Sequence, residues 1–134
     1  MESVKKICAD ENLDFCPVET GIEILSGKWK ARILWKLHNK PSMRFGELRR
    51  SLAGITEKML VQQLRDLESA RLITRKVYTE VPPKVEYSLS EFGETLRPLL
   101  DKFAEWGLRQ KEQIGEIAAD RTKKRLVVLA ATVD

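Results

Sequence analysis

Hydrophobic positions along this chain repeat at two different spacings. In several stretches between residues 17 and 71, apolar side chains recur every three or four positions, as on one face of an α-helix. Residues 72–89 instead favour β-branched and aromatic types, and the later ones alternate with polar residues, which is typical of strands. The helical spacing returns after residue 90. The pattern predicts a mainly α protein with a small β-hairpin, an α+β arrangement.

Four helices are predicted before the hairpin. The first covers residues 17–26, since proline suits the first position of a helix. The second covers residues 28–38, and a short third helix covers residues 45–52. Thr56 is a suitable N-cap for a fourth helix that extends to about residue 71.

The fourth helix is amphipathic. Its apolar face carries Leu60, Leu64 and Leu67. Roughly opposite lie Lys58, Gln62 and Arg65, and one flank carries Met59, Gln63 and Asp66. A short helix, a turn that contains glycine and a second helix with a polar exposed face together predict a helix-turn-helix.

Two strands are predicted next, over residues 72–79 and 84–89. The sequence Val81-Pro82-Pro83 between them favours a turn, because proline lacks the backbone donor that a strand ladder needs. A hairpin directly after a helix-turn-helix makes a winged helix. Ser90 is expected to cap one long C-terminal helix that Pro98 should kink.

The C-terminal helix has more apolar surface than a small domain covers by itself. We therefore expect a homodimer that forms through the terminal helices, with an interface at Leu96, Leu100, Phe103 and Trp106. The predicted organisation is a flexible segment (residues 1–15), a winged helix-turn-helix domain (16–89) and a dimerisation helix with a tail (90–134). Residues 121–134 fit an extended interface, a strand or disorder equally well.

Basic residues are concentrated in one part of the chain. Residues 27–84 contain 14 of the 24 Lys and Arg residues but five of the 20 Asp and Glu residues, a net charge of +9. The remainder carries −5, and the whole chain carries +4. A basic segment flanked by acidic ones is typical of nucleic-acid-binding proteins, although a solvated basic surface gives the same composition.

Several classes of protein are disfavoured. The longest uncharged apolar run, residues 126–133, is less than half as long as the roughly 18 residues a membrane helix requires. No secretory signal or C-x-x-C pair is found, so we expect a cytoplasmic protein. The single histidine, His38, permits neither a Ser-His-Asp triad nor a His-rich metal site. We expect no enzymatic activity, no metal site and no cofactor.

Six short motifs follow one another between residues 16 and 106. They are Cys16-Pro17-Val18, Gly27-Lys28-Trp29-Lys30, Arg44-Phe45-Gly46-Glu47-Leu48, the segment from Gly54-Ile55-Thr56 to Leu60, Gln63-Leu64-Arg65-Asp66-Leu67-Glu68 and Val81-Pro82-Pro83-Lys84-Val85-Glu86-Tyr87-Ser88-Leu89. Together they resemble the HxlR family of bacterial transcriptional regulators, which is related to the MarR-like regulators. The resemblance implies a dimeric winged helix-turn-helix protein that binds double-stranded DNA at a pseudo-palindromic operator.

One departure from the family pattern is Ala70-Arg71-Leu72, where the family usually has glycine before the leucine. Either Arg71 adopts a positive φ, or the helix ends differently.

The resemblance and the predicted helix faces together assign roles to individual residues. The second helix of a helix-turn-helix reads base edges in the major groove, and here its candidates are Thr56, Lys58, Met59, Gln62 and Gln63. Candidates for phosphate contacts are Lys28, Lys30, Arg44, Arg49 and Arg65, and candidates on the wing are Arg75 and Lys84. Two alternatives stay open: Gln62 and Gln63 on a merely solvated face, and Arg65 in an internal ion pair.

Cys16 is the candidate for redox sensing. A thiol just before a helix lies near the positive end of the helix dipole, which favours the thiolate, whereas Asp14 and Glu19 oppose a further negative charge. The resemblance implies a sensor, since several family members detect oxidants or electrophiles through a cysteine in this Cys-Pro motif. The alternative is a packed, unreactive cysteine. Disulfides between subunits, with Cys8 or with a small thiol all stay open.

Two further hypotheses compete with thiol control. One is a small-molecule effector bound between the DNA-binding unit and the dimer helices, where Trp29, Trp35 and Trp106 could form a pocket. Tryptophans at helical spacing are, however, more often core residues. The other is a winged-helix module that binds protein rather than DNA.

Overall fold

The structure, a computed structural model, describes residues 16–131 and divides after Thr95 into two compact units. The described part of the first unit, residues 16–95, holds five helices: α1 (Pro17–Leu25), α2 (Lys30–Asn39), α3 (Phe45–Ser51), α4 (Glu57–Ser69) and α5 (Glu91–Glu94). Its strands are β1 (Met43–Arg44), β2 (Ile73–Tyr78) and β3 (Lys84–Leu89). The second unit holds α6 (Arg97–Arg109) and α7 (Lys111–Ala131). The predicted N-terminal segment, residues 1–15 with Cys8, lies outside the described residues.

The core of the first unit is formed mainly by α2 and α4. The buried side chains of these helices are Ile33, Leu34, Leu37, Leu60, Leu64 and Leu67. The predicted apolar face of the fourth helix is therefore confirmed. Each such side chain stabilises the fold by about 1.5–3 kcal/mol relative to an exposed position. The first turn of α2 starts at Lys30, two residues later than predicted, because Gly27 has a φ of 108° and Trp29 is its N-cap.

The sheet has three antiparallel strands in the order β1, β3, β2. The predicted hairpin of β2 and β3 is present, with Ile73 opposite Leu89 and Tyr78 opposite Lys84. The prediction of only two strands was wrong, because Met43 and Arg44 pair with Tyr87 and Glu86 of β3. A two-residue strand has no detectable period and exists only through this pairing, which joins residues distant in sequence.

The end of α4 differs slightly from the prediction. The helix ends at Ser69 rather than near residue 71, and Arg71 has a φ of 62°. A positive φ was one of the two expected outcomes at this position, and the structure confirms it. The turn is closed by a hydrogen bond from the Leu72 amide to the Leu67 carbonyl at 3.0 Å. The chain can therefore leave α4 and enter β2 within three residues.

The base of the wing is held to α5 by a close backbone approach. The Ser90 amide donates to the Leu72 carbonyl at 3.0 Å, and the Ser90 hydroxyl accepts from the Gly93 amide at 2.9 Å. A Cβ placed on Gly93 would lie 2.0 Å from the Leu72 carbonyl oxygen. Only glycine therefore fits here, and this contact fixes where the chain leaves the wing.

The single C-terminal helix that the sequence predicts is instead three helices. Ser90 caps the short α5, and Pro98 lies in the first turn of α6 rather than at a kink. Proline at this position costs no hydrogen bond, because the first amides of a helix have no partner within it. Helix α7 continues to Ala131, so residues 121–131 are helical rather than a strand. Residues 132–134 lie outside the described part.

Within residues 16–131 no helix is both long and apolar enough to cross a bilayer.

The close contact between Gly93 and the Leu72 backbone leads to a testable prediction. Gly93→Ala should lower the free energy of unfolding by about 1–3 kcal/mol, because the methyl group must displace the Leu72 backbone. Gly115→Ala is the matched control, since a Cβ at that helical position meets no atom within 4 Å. The control should match the wild type or be slightly more stable. Equal stability of both variants in urea denaturation would contradict the role of Gly93.

Candidate nucleic-acid interface

Helix α4 presents a polar face at its N-terminal half. The Thr56 hydroxyl caps the helix by accepting from the Met59 amide at 3.1 Å. Lys58, Met59 and Gln62 are exposed, while the leucines on the opposite face are buried. Four of the five predicted base-contacting residues therefore lie together on the surface.

Gln62 belongs to a short polar network. Its side-chain amide nitrogen donates to an Asp66 carboxylate oxygen at 3.0 Å. The other Asp66 oxygen lies 3.6 Å from the Lys30 ammonium of α2. This network holds the Gln62 amide in one orientation and leaves its oxygen and one N–H group for an external partner.

Gln63 is placed differently from the other four candidates. Its side-chain oxygen is buried and has no hydrogen-bond partner among the described residues. The Trp29 indole N–H is likewise buried without an acceptor there. Gln63 as a whole is half-buried and its side-chain oxygen is inaccessible, so the structure does not bring it fully onto the exposed face with Gln62.

Ion pairs separate the cations among the predicted DNA contacts, on the recognition helix, the backbone-contact set and the wing, into two groups. Three of these cations are engaged: Lys30 with Asp66 at 3.6 Å, Arg49 with Glu57 at 3.5 Å, and Lys84 with Glu86 at 2.9 Å. In residues 16–131 no acidic side chain lies within 4 Å of the charged groups of Lys28, Lys58, Arg65 and Arg75. The alternative of an internal ion pair for Arg65 therefore has no support in the described part of the chain.

The two predicted wing residues lie on opposite faces of the sheet. Arg75 is opposite Tyr87, which is buried on the core side, whereas Lys84 is opposite Tyr78 on the other side. There the ammonium groups of Lys76 and Lys84 lie 4.8 and 4.9 Å from the Tyr78 ring centroid. Lys76 was not among the predicted site residues. Side chains alternate between the two faces of a strand, and this period was the sequence signal that could have placed Lys76 on the same face of the wing as Lys84.

Glu86 and Glu47 are two carboxylates beside the wing whose pKa values are lowered, which favours their charged form. The Lys84 ammonium, hydrogen-bonded to Glu86, lowers the pKa of that carboxyl, and the Tyr78 hydroxyl and Arg44 act in the same direction. The pKa of Glu47 is lowered by a hydrogen bond from Lys40 and by the Arg44 amide. Through these interactions with Glu47 and Glu86, Arg44 helps to stabilise α3 and the wing. Its side chain also adds to the positive charge of the surface.

Cys16 is the exposed N-cap of α1, and Pro17 follows it in the first turn. Its side chain makes no capping hydrogen bond. It is not packed against the described part of the chain, so the thiol is accessible there.

The four residues predicted to form the dimer interface differ in how far they are exposed. Phe103 and Trp106 are 51% and 60% exposed, whereas Leu100 is 5% exposed and Leu96 is half-buried. Leu99, one turn before Phe103, is also exposed. Of the three tryptophans, Trp29 is a core residue at 4% exposure, and Trp35 contacts the His38 ring.

The short α3, the turn at Gly54, α4 and the three-stranded wing define a winged helix-turn-helix, a class of DNA-binding regulators. A family model described as "HxlR-like helix-turn-helix" matches residues 24–115. The chain belongs to this family and is a transcriptional regulator of the HxlR and MarR type.

Relatives and solved structures agree with this assignment. The Bacillus subtilis protein named "uncharacterized HTH-type transcriptional regulator YdeP" is 44% identical over 113 residues, which are 84% of this chain and 88% of that one. The structure described as "redoxregulator HypR in its reduced form" has a TM-score of 0.71 and 42% identity, over 75% of this chain and 98% of that one. The reduced form of the B. subtilis regulator YodB has a TM-score of 0.62 and 31% identity, over 69% and 91% of the two chains.

Proposed function

We propose that this regulator binds a pseudo-palindromic operator as a homodimer and that oxidation of Cys16 controls the binding. The observation that carries the DNA-binding part is the exposed face of α4. There Lys58 and Gln62 project from a helix whose opposite face is anchored in the core by Leu60, Leu64 and Leu67. A helix fixed in this way can enter the major groove without losing its packing.

Gln62 is the base-reading residue in this proposal. Pairing with adenine requires one amide oxygen and one amide N–H, and the bond to Asp66 uses only the second N–H. Lys58, one turn earlier, donates to guanine, while Thr56 and Met59 contact thymine methyl groups. Gln63 is left out of this set because its oxygen faces the interior.

The cations without a salt bridge to a described residue are the strongest candidates for phosphate contacts, although the Lys28 ammonium also lies 4.8 Å from the Trp29 ring centroid. Lys28, Arg65 and Arg75 can neutralise phosphates without first breaking an ion pair. Lys30, Arg49 and Lys84 must share their charge with Asp66, Glu57 and Glu86, so each should contribute less to affinity.

Two helices carry the apolar surface that the dimer requires. On α6 the exposed side chains Leu99, Phe103 and Trp106 follow one another at helical spacing. On α1, Val18 and Ile22 are exposed in the same way. Rows of exposed apolar side chains such as these, each on its own helix, are typical of protein interfaces. Leu100 has little surface left to bury, so we propose that the interface uses the Leu99 side of α6.

Control by Cys16 is supported by its exposure and by similarity to a protein described as a redox regulator. In the oxidised form two thiols lose two electrons and two protons to the oxidant and form one S–S bond. The second thiol comes from the other protomer, from Cys8 or from a small thiol. Helix α1 immediately precedes the loop with Lys28. A disulfide at Cys16 can therefore change the distance between the positions at which the two protomers contact the two operator half-sites.

The first prediction of the proposed function concerns DNA binding. Gln62→Ala should relax the base preference at one operator position, at a cost of about 1–3 kcal/mol for the preferred base. Lys28→Ala should instead weaken binding to all sequences and reduce the salt slope by about one. The control is Gln113→Ala, an exposed glutamine of α7. Fluorescence anisotropy with operator variants measures these effects, and an unchanged preference in Gln62→Ala would contradict the orientation of α4.

The second prediction concerns the dimer. Phe103→Asp should convert the protein to a monomer at micromolar concentration, because a charge would be buried in the interface. Val77→Asp on the wing, at the same exposed fraction of 51%, should leave the dimer intact. Size-exclusion chromatography with light scattering distinguishes the two masses. A wild-type protein that is monomeric under these conditions would exclude the proposed dimer.

The third prediction concerns the thiol. Diamide should abolish operator binding by the wild type, and dithiothreitol should restore it. Cys16→Ser should bind DNA with or without diamide. Cys8→Ser is the matched control: it remains sensitive to diamide if the second thiol is not Cys8. Equal loss of binding in the wild type and in Cys16→Ser would remove Cys16 from the mechanism.

A further inference from the structure

The Asp66 carboxylate connects the exposed face of α4 to the neighbouring helix α2. One of its oxygens accepts from the side-chain amide nitrogen of Gln62, one turn earlier on α4, at 3.0 Å. The other oxygen lies 3.6 Å from the Lys30 ammonium of α2. A carboxylate has acceptors only, so it can bind the Gln62 amide through an N–H group but not through the amide oxygen.

The contact with Lys30 distinguishes this pair from an ordinary pair of neighbours on a helix surface. A Gln and an Asp four residues apart interact only weakly by themselves. Here the Lys30 side chain is 21% exposed, and its ammonium opposes rotation of the Asp66 carboxylate into solvent. Asp66 is itself half-buried. The carboxylate is therefore held from two helices, and it holds the Gln62 amide in one direction.

The direction of the Gln62 amide matters because the two purines present different groups in the major groove. Adenine presents an acceptor, N7, and a donor, the N6 amino group, whereas guanine presents two acceptors, N7 and O6. An unrestrained glutamine can satisfy either base, since its amide has one oxygen and two N–H groups. The bond to Asp66 occupies one of those N–H groups. The remaining oxygen and N–H group match adenine and do not match guanine.

We propose that Asp66, anchored by Lys30, is a specificity-determining residue that makes Gln62 read adenine and reject guanine. Asp66 contacts no base in this proposal. It is a positioning residue that occupies the N–H group guanine would need, so that guanine O6 meets the Gln62 oxygen and the two acceptors repel each other. The proposal rests on the proposed function, because Gln62 must face a base, and it specifies A·T rather than G·C as the base pair.

In this proposal Asp66 has two opposite effects on DNA binding. Its negative charge repels the phosphates and engages Lys30, which lowers the affinity for every sequence. Its hydrogen bond to Gln62 raises the discrimination between bases at one position. Removal of Asp66 should therefore strengthen binding to guanine-containing operators, whereas removal of a residue that only stabilises α4 would weaken binding to all operators.

The test uses the full chain and operator duplexes selected from random DNA. Fluorescence anisotropy compares A·T with G·C at the position whose preference Gln62→Ala relaxes. The wild type should prefer adenine by about 10–100-fold, and Asp66→Ala should reduce this preference by at least about fivefold. Glu68→Ala is the matched control, because Glu68 is an exposed acid of the same helix that is not one turn away from Gln62. It should change the affinity for both duplexes by the same factor.

A double-mutant cycle completes the test: in the Gln62→Ala background, Asp66→Ala should not change the preference further. The proposal is overturned by an unchanged preference in Asp66→Ala, by an equal loss in Glu68→Ala, or by loss of discrimination at every operator position. If Gln62→Ala relaxes the preference and Asp66→Ala does not, the role of Asp66 fails while the proposed function stands. If Gln62→Ala changes no preference at all, the base-reading role of Gln62 fails first.

Discussion

Burial of Leu60, Leu64 and Leu67 is the constraint on which the rest of the structure depends. These side chains tie α4 to the core, and a rotation of the helix about its axis would expose them at a cost of about 1.5–3 kcal/mol each. The orientation of α4 in turn decides that Lys58 and Gln62 are exposed. The face that is proposed to contact DNA is thus a consequence of how the opposite face packs.

Ion pairing then decides how the basic surface can be used. The segment of residues 27–84 is strongly basic, but its cations do not have equal access to an external anion. The pairs of Lys30 with Asp66 and Lys84 with Glu86 stabilise contacts within the first unit. Among residues 16–131, Arg65 and Arg75 have no salt-bridge partner. Charge that looks uniform in the sequence therefore divides into cations that are paired within the first unit and cations without such a pair in the described part of the chain.

Cys16, the proposed control point, lies at the edge of this unit. The exposed Cys16 starts α1, which itself buries no residue. A chemical change there leaves the buried side chains of α2 and α4 untouched. In the proposed function, oxidation of Cys16 therefore alters DNA binding without unfolding the domain.

The sequence by itself determined the helices with a clear apolar period, the hairpin, the helix-turn-helix and the N-cap at Thr56, because these depend on contacts within a few residues. The third strand, the break before Pro98 and the burial of the Gln63 side-chain oxygen were decided only by the tertiary structure. The faces of Arg75 and Lys84 follow from the two-residue period of a strand only once the pairing of β2 with β3 is known. The third strand depends on which distant residue lies opposite, as Tyr87 does for Met43, and no local period records such a pairing.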